Sequence, residues 1–155
     1  MKLFLWSRKR LTNIISRNRD ISYLKDDKLE MKLLFRKVEK VMSEKRPYLE
    51  SDFSMDDLSK LVFVNRSFLS KTINKISHMN FRTYINSYRI KYAASLIKKD
   101  PRMRFRDVAY MSGFNSLPTF NSAFKDVMSM RPSDYFKTLS LNSEQSSPNR
   151  TTRVP

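Results

Sequence analysis

The fold is decided by residues 105–136, FRDVAYMSGFNSLPTFNSAFKDVMSMRPSDYF. Helical spacing runs from Phe105 to Met111 and again from about Ser116 to Val127, where Phe120, Ala123 and Phe124 share one face. Between the two lies Gly113, the single glycine of the chain. A glycine just past a short helix suits a C-terminal cap that requires positive φ. Pro118 falls in the first turn of the second helix, where backbone N–H groups have no helical partner to lose. The run Met130-Arg131-Pro132-Ser133 then opens a final turn of helix through Tyr135 and Phe136.

Towards the N-terminus, SMDDLSKLVFVNRSFLSKTINKI (54–76) repeats this design. Met55, Asp57, Leu58, Leu61 and Asn65 match Phe105, Asp107, Val108, Met111 and Asn115 at an offset of 50. Beyond the turn the offset is 51, pairing Leu69, Ile73 and Tyr84 with Phe120, Phe124 and Tyr135. One extra residue in the second turn accounts for the slip. Ser54, followed by Asp56 and Asp57, is placed to cap a helix Met55–Val62. Asn65 precedes a second helix, Arg66–Ser77, with Phe68, Leu69, Ile73 and Ile76 inside. Each unit is thus a short helix, a tight turn and a longer helix with a polar outer side, the outline of a helix-turn-helix. In the first unit the counterpart of Gly113 is near Phe63, which is strained at positive φ. That turn either has a different geometry or tolerates some strain.

The units are joined by FRTYINSYRIKYAASLI (81–97). Asn80 caps a helix from Phe81 to about Lys98, its inner stripe including Phe81, Tyr84, Ile85, Tyr88, Tyr92 and Leu96, and Asp100-Pro101 stops it. Arg89, beside Tyr88 and Ile90, reads as structural. His78 sits in a connector with no ligand or catalytic role. Upstream, Leu29, Leu33, Leu34, Val38, Val41 and Met42 predict a helix from Asp27 to Arg46 that Pro47 ends. No segment shows the alternation of a sheet. The expected fold is all-α, about seven helices, with two helix-turn-helix units joined by a long central helix across 51–139. A connector helix occupies 26–50, and flexible tails cover 1–25 and 140–155, the latter rich in Ser, Asn, Thr and Pro.

Composition narrows the chemistry. The 155 residues carry 31 Lys+Arg against 15 Asp+Glu, a net charge of +16, which points to a polyanionic partner. Residues 1–25 hold 7 basic and 1 acidic residue, and 51–139 hold 15 and 7, so the excess divides between an arm and the folded segment. No Cys excludes disulfides, thiol nucleophiles and Cys-ligated zinc, and one His leaves little for a metal site or triad. One Gly excludes glycine-rich phosphate loops. Neither cofactor nor metal is expected, and the chain does not read as an enzyme. Leu3-Phe4-Leu5-Trp6 before Arg8-Lys9-Arg10 is far too short to span a bilayer, which takes about 20 apolar residues, and it lacks a signal-peptide core. It reads as a basic arm, or as the cytoplasmic end of a truncated or tethered protein, the one case in which a membrane is a partner.

Together, 54–76, 81–97 and 105–136 resemble the DNA-binding domain of AraC/XylS-type transcription regulators, and the likeness covers roughly 51–138. The most specific part is the pattern GF-N-S…F…AFK…M-x-P-x-x-Y from Gly113 to Tyr135. The resemblance implies a bacterial, cytoplasmic, nucleoid-associated, sequence-specific activator that binds double-stranded DNA as a monomer and acts on RNA polymerase. Family members commonly carry a preceding sensor or dimerisation region, for which residues 1–50 are too short. The helix at 27–46 is then a connector or a small dimerising helix, and its stripe equally suits simple packing onto the first unit. The family often has Arg where this chain has Ser122, and Gly where it has Ser129.

The recognition helices are expected at about 66–77 and 116–127, in adjacent major grooves. In the first, Arg66, Ser67, Ser70, Lys71 and Asn74 face outward at positions that read DNA in the family. Lys71 and Arg66 can donate to guanine, and Asn74 can pair with adenine or touch a phosphate. In the second, Leu117, Thr119, Asn121 and Ser122 are short and uncharged, which predicts weaker direct discrimination and more reliance on fit. Arg82, Lys98, Lys99, Arg102, Arg104, Arg106, Lys125 and Arg131 are the expected phosphate anchors. The competing reading is a basic helical protein that binds RNA or DNA without sequence preference. It predicts similar affinity for scrambled duplexes, and the repeated helix-turn-helix counts against it.

Overall fold

The computed structural model describes residues 27–145. Helix α1 covers 27–45 and a 3-10 turn follows at Pro47–Leu49. Then come α2 (Met55–Val62), α3 (Arg66–Ser77), α4 (Phe81–Lys99), α5 (Phe105–Met111), α6 (Leu117–Met128) and α7 (Pro132–Gln145). Every element among the described residues is helical, as expected. The basic arm at 1–25 and residues 146–155 of the expected tail lie outside the described residues, whereas 140–145, expected as flexible tail, continue the last helix.

Helix α1 buries Met31, Leu34, Val38 and Met42. The expected stripe was partly wrong, because Leu29 and Leu33 are 58% and 56% exposed. Both sets have helical spacing, and only the partner surface decides which one turns inward. The helix stops where Arg46 takes a left-handed conformation (φ 50, ψ 43) ahead of Pro47, since a proline disfavours helical backbone at the residue before it.

Helix α2 starts in a full capping box. Asp57 N donates to Ser54 Oγ, and Ser54 N donates back to Asp57 Oδ2 at 3.1 Å. The Ser54 hydroxyl bonds to the same carboxylate and is the main cause holding the Asp57 pKa below its usual value. Asn65, Asn80 and Ser116 cap α3, α4 and α6 in the same N-terminal manner.

The repeat holds in three dimensions. Helix starts keep the offsets, with Met55 and Phe105 opening α2 and α5, and Arg66 and Leu117 opening α3 and α6. His78 and Ser129, after α3 and α6, share the same left-handed φ of 57. Two cores result. One gathers α1, α2 and α3 around Val38, Met42, Leu58, Leu69 and Ile73. The other gathers Val108, Phe114, Phe120 and Phe124, rings stacked edge to face at 5.5 and 5.6 Å and each contributing about 1.5–3 kcal/mol by burial.

The central helix belongs to both cores. Its Tyr84 and Ile85 pack in the first, and Ile90, Ala93 and Ile97 in the second. This corrects the single inner stripe. Phe81, Tyr88, Tyr92 and Leu96 are only half-buried, whereas Ser87 and Ala94 are buried as well. A helix packed on two sides loses the one-sided pattern on which the expectation rested. Helix α7 also exceeds its expected single turn, because Tyr135, Phe136 and Leu139 dock on the second core and carry the helix to Gln145.

Candidate nucleic-acid interface

The turns ahead of α3 and α6 share one hydrogen-bond pattern. In the second, Gly113 N donates to Tyr110 O and Phe114 N to Ala109 O, both at 3.0 Å. In the first, Phe63 N donates to Lys60 O at 3.3 Å and Val64 N to Ser59 O at 3.1 Å. These are the paired bonds of a Schellman cap. Gly113 has φ +82 and Phe63 has φ 55, ψ 47. The first turn therefore keeps the geometry and carries the strain. Its ring is 89% exposed, with Lys37 Nζ at 5.3 Å from its centroid and donating to Val62 O at 2.8 Å. Helix α1 thus holds the turn from outside.

Arg89 is structural in fact as in expectation. From α4 its Nε donates to Tyr48 O at 2.6 Å and its Nη2 to Glu50 O at 2.7 Å. Its guanidinium lies 5.6 Å from the Phe114 ring, and burial lowers its pKa. It ties the segment before α2 to the second unit's turn, where Gly113 is pressed against the carbonyls of Tyr48 and Leu49.

Helix α3 presents Arg66, Ser67, Ser70, Lys71 and Asn74 exposed, opposite the buried Leu69, Thr72 and Ile73. Arg66 Nη1 pairs with Asp56 Oδ2 of α2 at 3.1 Å. An exposed pair like this is worth about 1 kcal/mol or less, so an incoming phosphate or base edge can displace the carboxylate. Asp56 lies ten positions away, a distance at which sequence spacing alone signals nothing. Lys75, one turn beyond Lys71, is exposed as well.

On α6, Thr119, Asn121 and Ser122 are exposed, but Leu117 is half-buried against the second core. The Thr119 hydroxyl shares a 2.8 Å hydrogen bond with Ser116. Asn121 and Ser122 line a cleft of about 480 Å³ with Lys125 and Arg131, so part of the expected base-reading set stands beside two expected anchors. Lys99 and Arg102 border a separate cleft after α4, with Arg102 Nε 4.0 Å from Asp100 Oδ1. Arg82, Lys98, Arg104 and Arg106 are exposed and line neither. Among the described residues no helix is long and apolar enough to cross a membrane.

A family model described as a helix-turn-helix domain matches residues 58–138, more than half of the chain. The chain belongs to the AraC-type helix-turn-helix family. Over 71 residues it is 39% identical to the TCP pilus virulence regulatory protein of Vibrio cholerae, a match covering 46% of this chain and 25% of that protein. The ToxT structure from the same organism superposes with a TM-score of 0.56 at 31% identity, covering 67% of this chain and 38% of that one. The DNA-binding domain of the global transcriptional factor AdpA, in complex with a target DNA, gives 0.59 at 15% identity over 73% and 97%. The match spans 25% of the TCP pilus virulence regulatory protein and 42% of the Msm operon regulatory protein of Streptococcus mutans, so this AraC-type chain covers less than half the length of these relatives.

Proposed function

We propose that this chain is a sequence-specific transcription regulator that inserts α3 and α6 into adjacent major grooves of double-stranded DNA. The observation that carries the reading is the duplicated build. Two helices of equal length, each fixed by the same turn, expose short polar and basic side chains and are held on one central helix. The AdpA domain, of the same fold, is in complex with a target DNA, which supports DNA as the partner.

In this reading Lys71 and Arg66 contact guanine edges, Asn74 an adenine or a phosphate, and Ser67 and Ser70 make single hydrogen bonds. On α6, Thr119, Asn121 and Ser122 make single contacts while Leu117 supplies an apolar one. Arg82, Lys98, Lys99, Arg102, Arg104, Arg106, Lys125 and Arg131 hold the backbone. The central helix, 19 residues at about 1.5 Å each, falls short of the roughly 34 Å groove repeat. The duplex bends, or the offsets of α3 and α6 make up the difference. The site of action is the bacterial cytoplasm, at promoters beside RNA polymerase.

Selection of duplexes from a random pool tests this. The expected outcome is one preferred site about two half-sites long, sharper under α3 than under α6, with Lys71→Ala relaxing the α3 half by about 1–3 kcal/mol. Equal affinity for scrambled duplexes would instead establish a non-specific binder of nucleic acid.

A further inference from the structure

Helix α1 precedes the residues matched by the family model, yet its first turns stand beside the recognition helix of the first unit. Met31, buried on α1, and Ile76 of α3 form the apolar floor of a cleft of about 550 Å³ between the two helices. Four exposed lysines border it: Lys28 and Lys32 from α1, Lys71 and Lys75 from α3. Asp27 is the one carboxylate at its edge. None of the four lysines forms an ion pair with another described residue.

Each lysine pair has i,i+4 spacing, at which like charges on a helix repel, and the cleft brings the two pairs together. The arrangement is unfavourable in the free protein and favourable around an anion. It is no requirement of the fold either. The repeat preserves core positions between units, but the counterparts of Lys71 and Lys75 in α6 are Ser122 and Asp126. Lys71 also belongs to the outward face of α3, so the cluster is continuous with the proposed reading surface. A recognition helix that enters the groove by its N-terminus leaves its later turns near the groove wall, where the sugar–phosphate strand passes.

We propose that α1 extends the DNA-binding surface, with Lys28, Lys32 and Lys75 clamping the phosphodiester backbone beside the groove that α3 enters. The inference rests on the DNA-binding reading above and adds a contact on the first unit's side alone. Phosphates there are held by point charges and carry no base information, so the clamp raises affinity and salt sensitivity without changing the preferred sequence.

The test compares the full chain with Lys28→Gln/Lys32→Gln and with Lys40→Gln/Lys45→Gln, which removes equal charge further along the same helix. Affinity for a selected duplex and for a scrambled one is measured from 50 to 200 mM salt. Each lost phosphate contact should reduce the slope of log affinity against log salt by about 0.9. The first variant is expected to be shallower by about 1.8, with its preference for the selected duplex intact, and the control unchanged. An unchanged slope in Lys28→Gln/Lys32→Gln, or an equal change in the control, overturns the clamp. If the unaltered chain shows no sequence preference, the specific-regulator reading fails, while the slope comparison still decides the clamp. Gln is a good helix former and both sites are exposed, so the variants retain the fold.

Discussion

Replacing Gly113 by Ala tests how the second turn is built. At φ +82 a new Cβ would stand 2.6 Å from Tyr48 O, 2.8 Å from Leu49 O and 3.0 Å from Arg89 Nε. Two of these neighbours are backbone, and the Tyr48 carbonyl already accepts the 2.6 Å bond from Arg89. It cannot retreat without loosening that bond. The left-handed conformation costs an L-residue about 1–2 kcal/mol, and forcing a methyl into packed surroundings about 1–3 kcal/mol. Ala recovers about 0.4–1 kcal/mol by restricting the unfolded chain, so the expected net loss is about 2–4 kcal/mol. Urea unfolding should show the midpoint falling with its slope unchanged, and Tm should drop by roughly 3–4 °C per kcal/mol. A loss under about 1 kcal/mol would refute the reasoning, since it would mean that the 47–49 segment yields freely.

The first turn should respond in the opposite sense. Phe63→Gly relieves the left-handed strain at about 1–2 kcal/mol and forfeits unfolded-state entropy and an exposed cation–π contact of about 0.5 kcal/mol. The variant is expected between neutral and about 1 kcal/mol more stable, and a clear loss in urea unfolding would give the ring a packing role. Arg89→Met strips the carbonyls of Tyr48, Glu50 and Ser51 of a charged donor and should cost about 2–3 kcal/mol. Arg89→Lys should recover only part, because one ammonium does not reproduce the fork; full rescue would show that charge alone matters. Thr72 is fully buried with its hydroxyl unpartnered among the described residues. Thr72→Val should therefore raise stability by about 1 kcal/mol in calorimetry, and a decrease would point to a partner for that hydroxyl.

What was legible in the sequence was local or repeated. Ser54, Asn65 and Asn80 announced helix starts because a cap acts within one turn, and Gly113 announced its turn because few residues tolerate that backbone. The duplicated apolar positions located both units. Tertiary choices were not legible. Leu29 and Leu33 fit a helical stripe as well as Met31 and Leu34 do, and only docking on the rest of the first core, α4 included, selects between them. The central helix hid its second buried face for the same reason. Within the candidate site, the outward face of α3 followed from its core positions. The Asp56–Arg66 pair, the carbonyls that receive Arg89 and the cleft between α1 and α3 join residues remote in sequence, where periodicity has nothing to say.

Helix α4 lends one face to each core, and that limits how the duplication can be divided. Cut after α3, the first half would lose Tyr84 and Ile85 from its interior; cut before α5, it would expose Ile90, Ala93 and Ile97 to water. Neither half is a transferable module, despite matching helix for helix. A fusion protein or hybrid regulator that swaps one reading unit has to carry the shared helix with it. It then inherits interior residues shaped for a neighbour left behind. For this architecture the smallest exchangeable part is the pair.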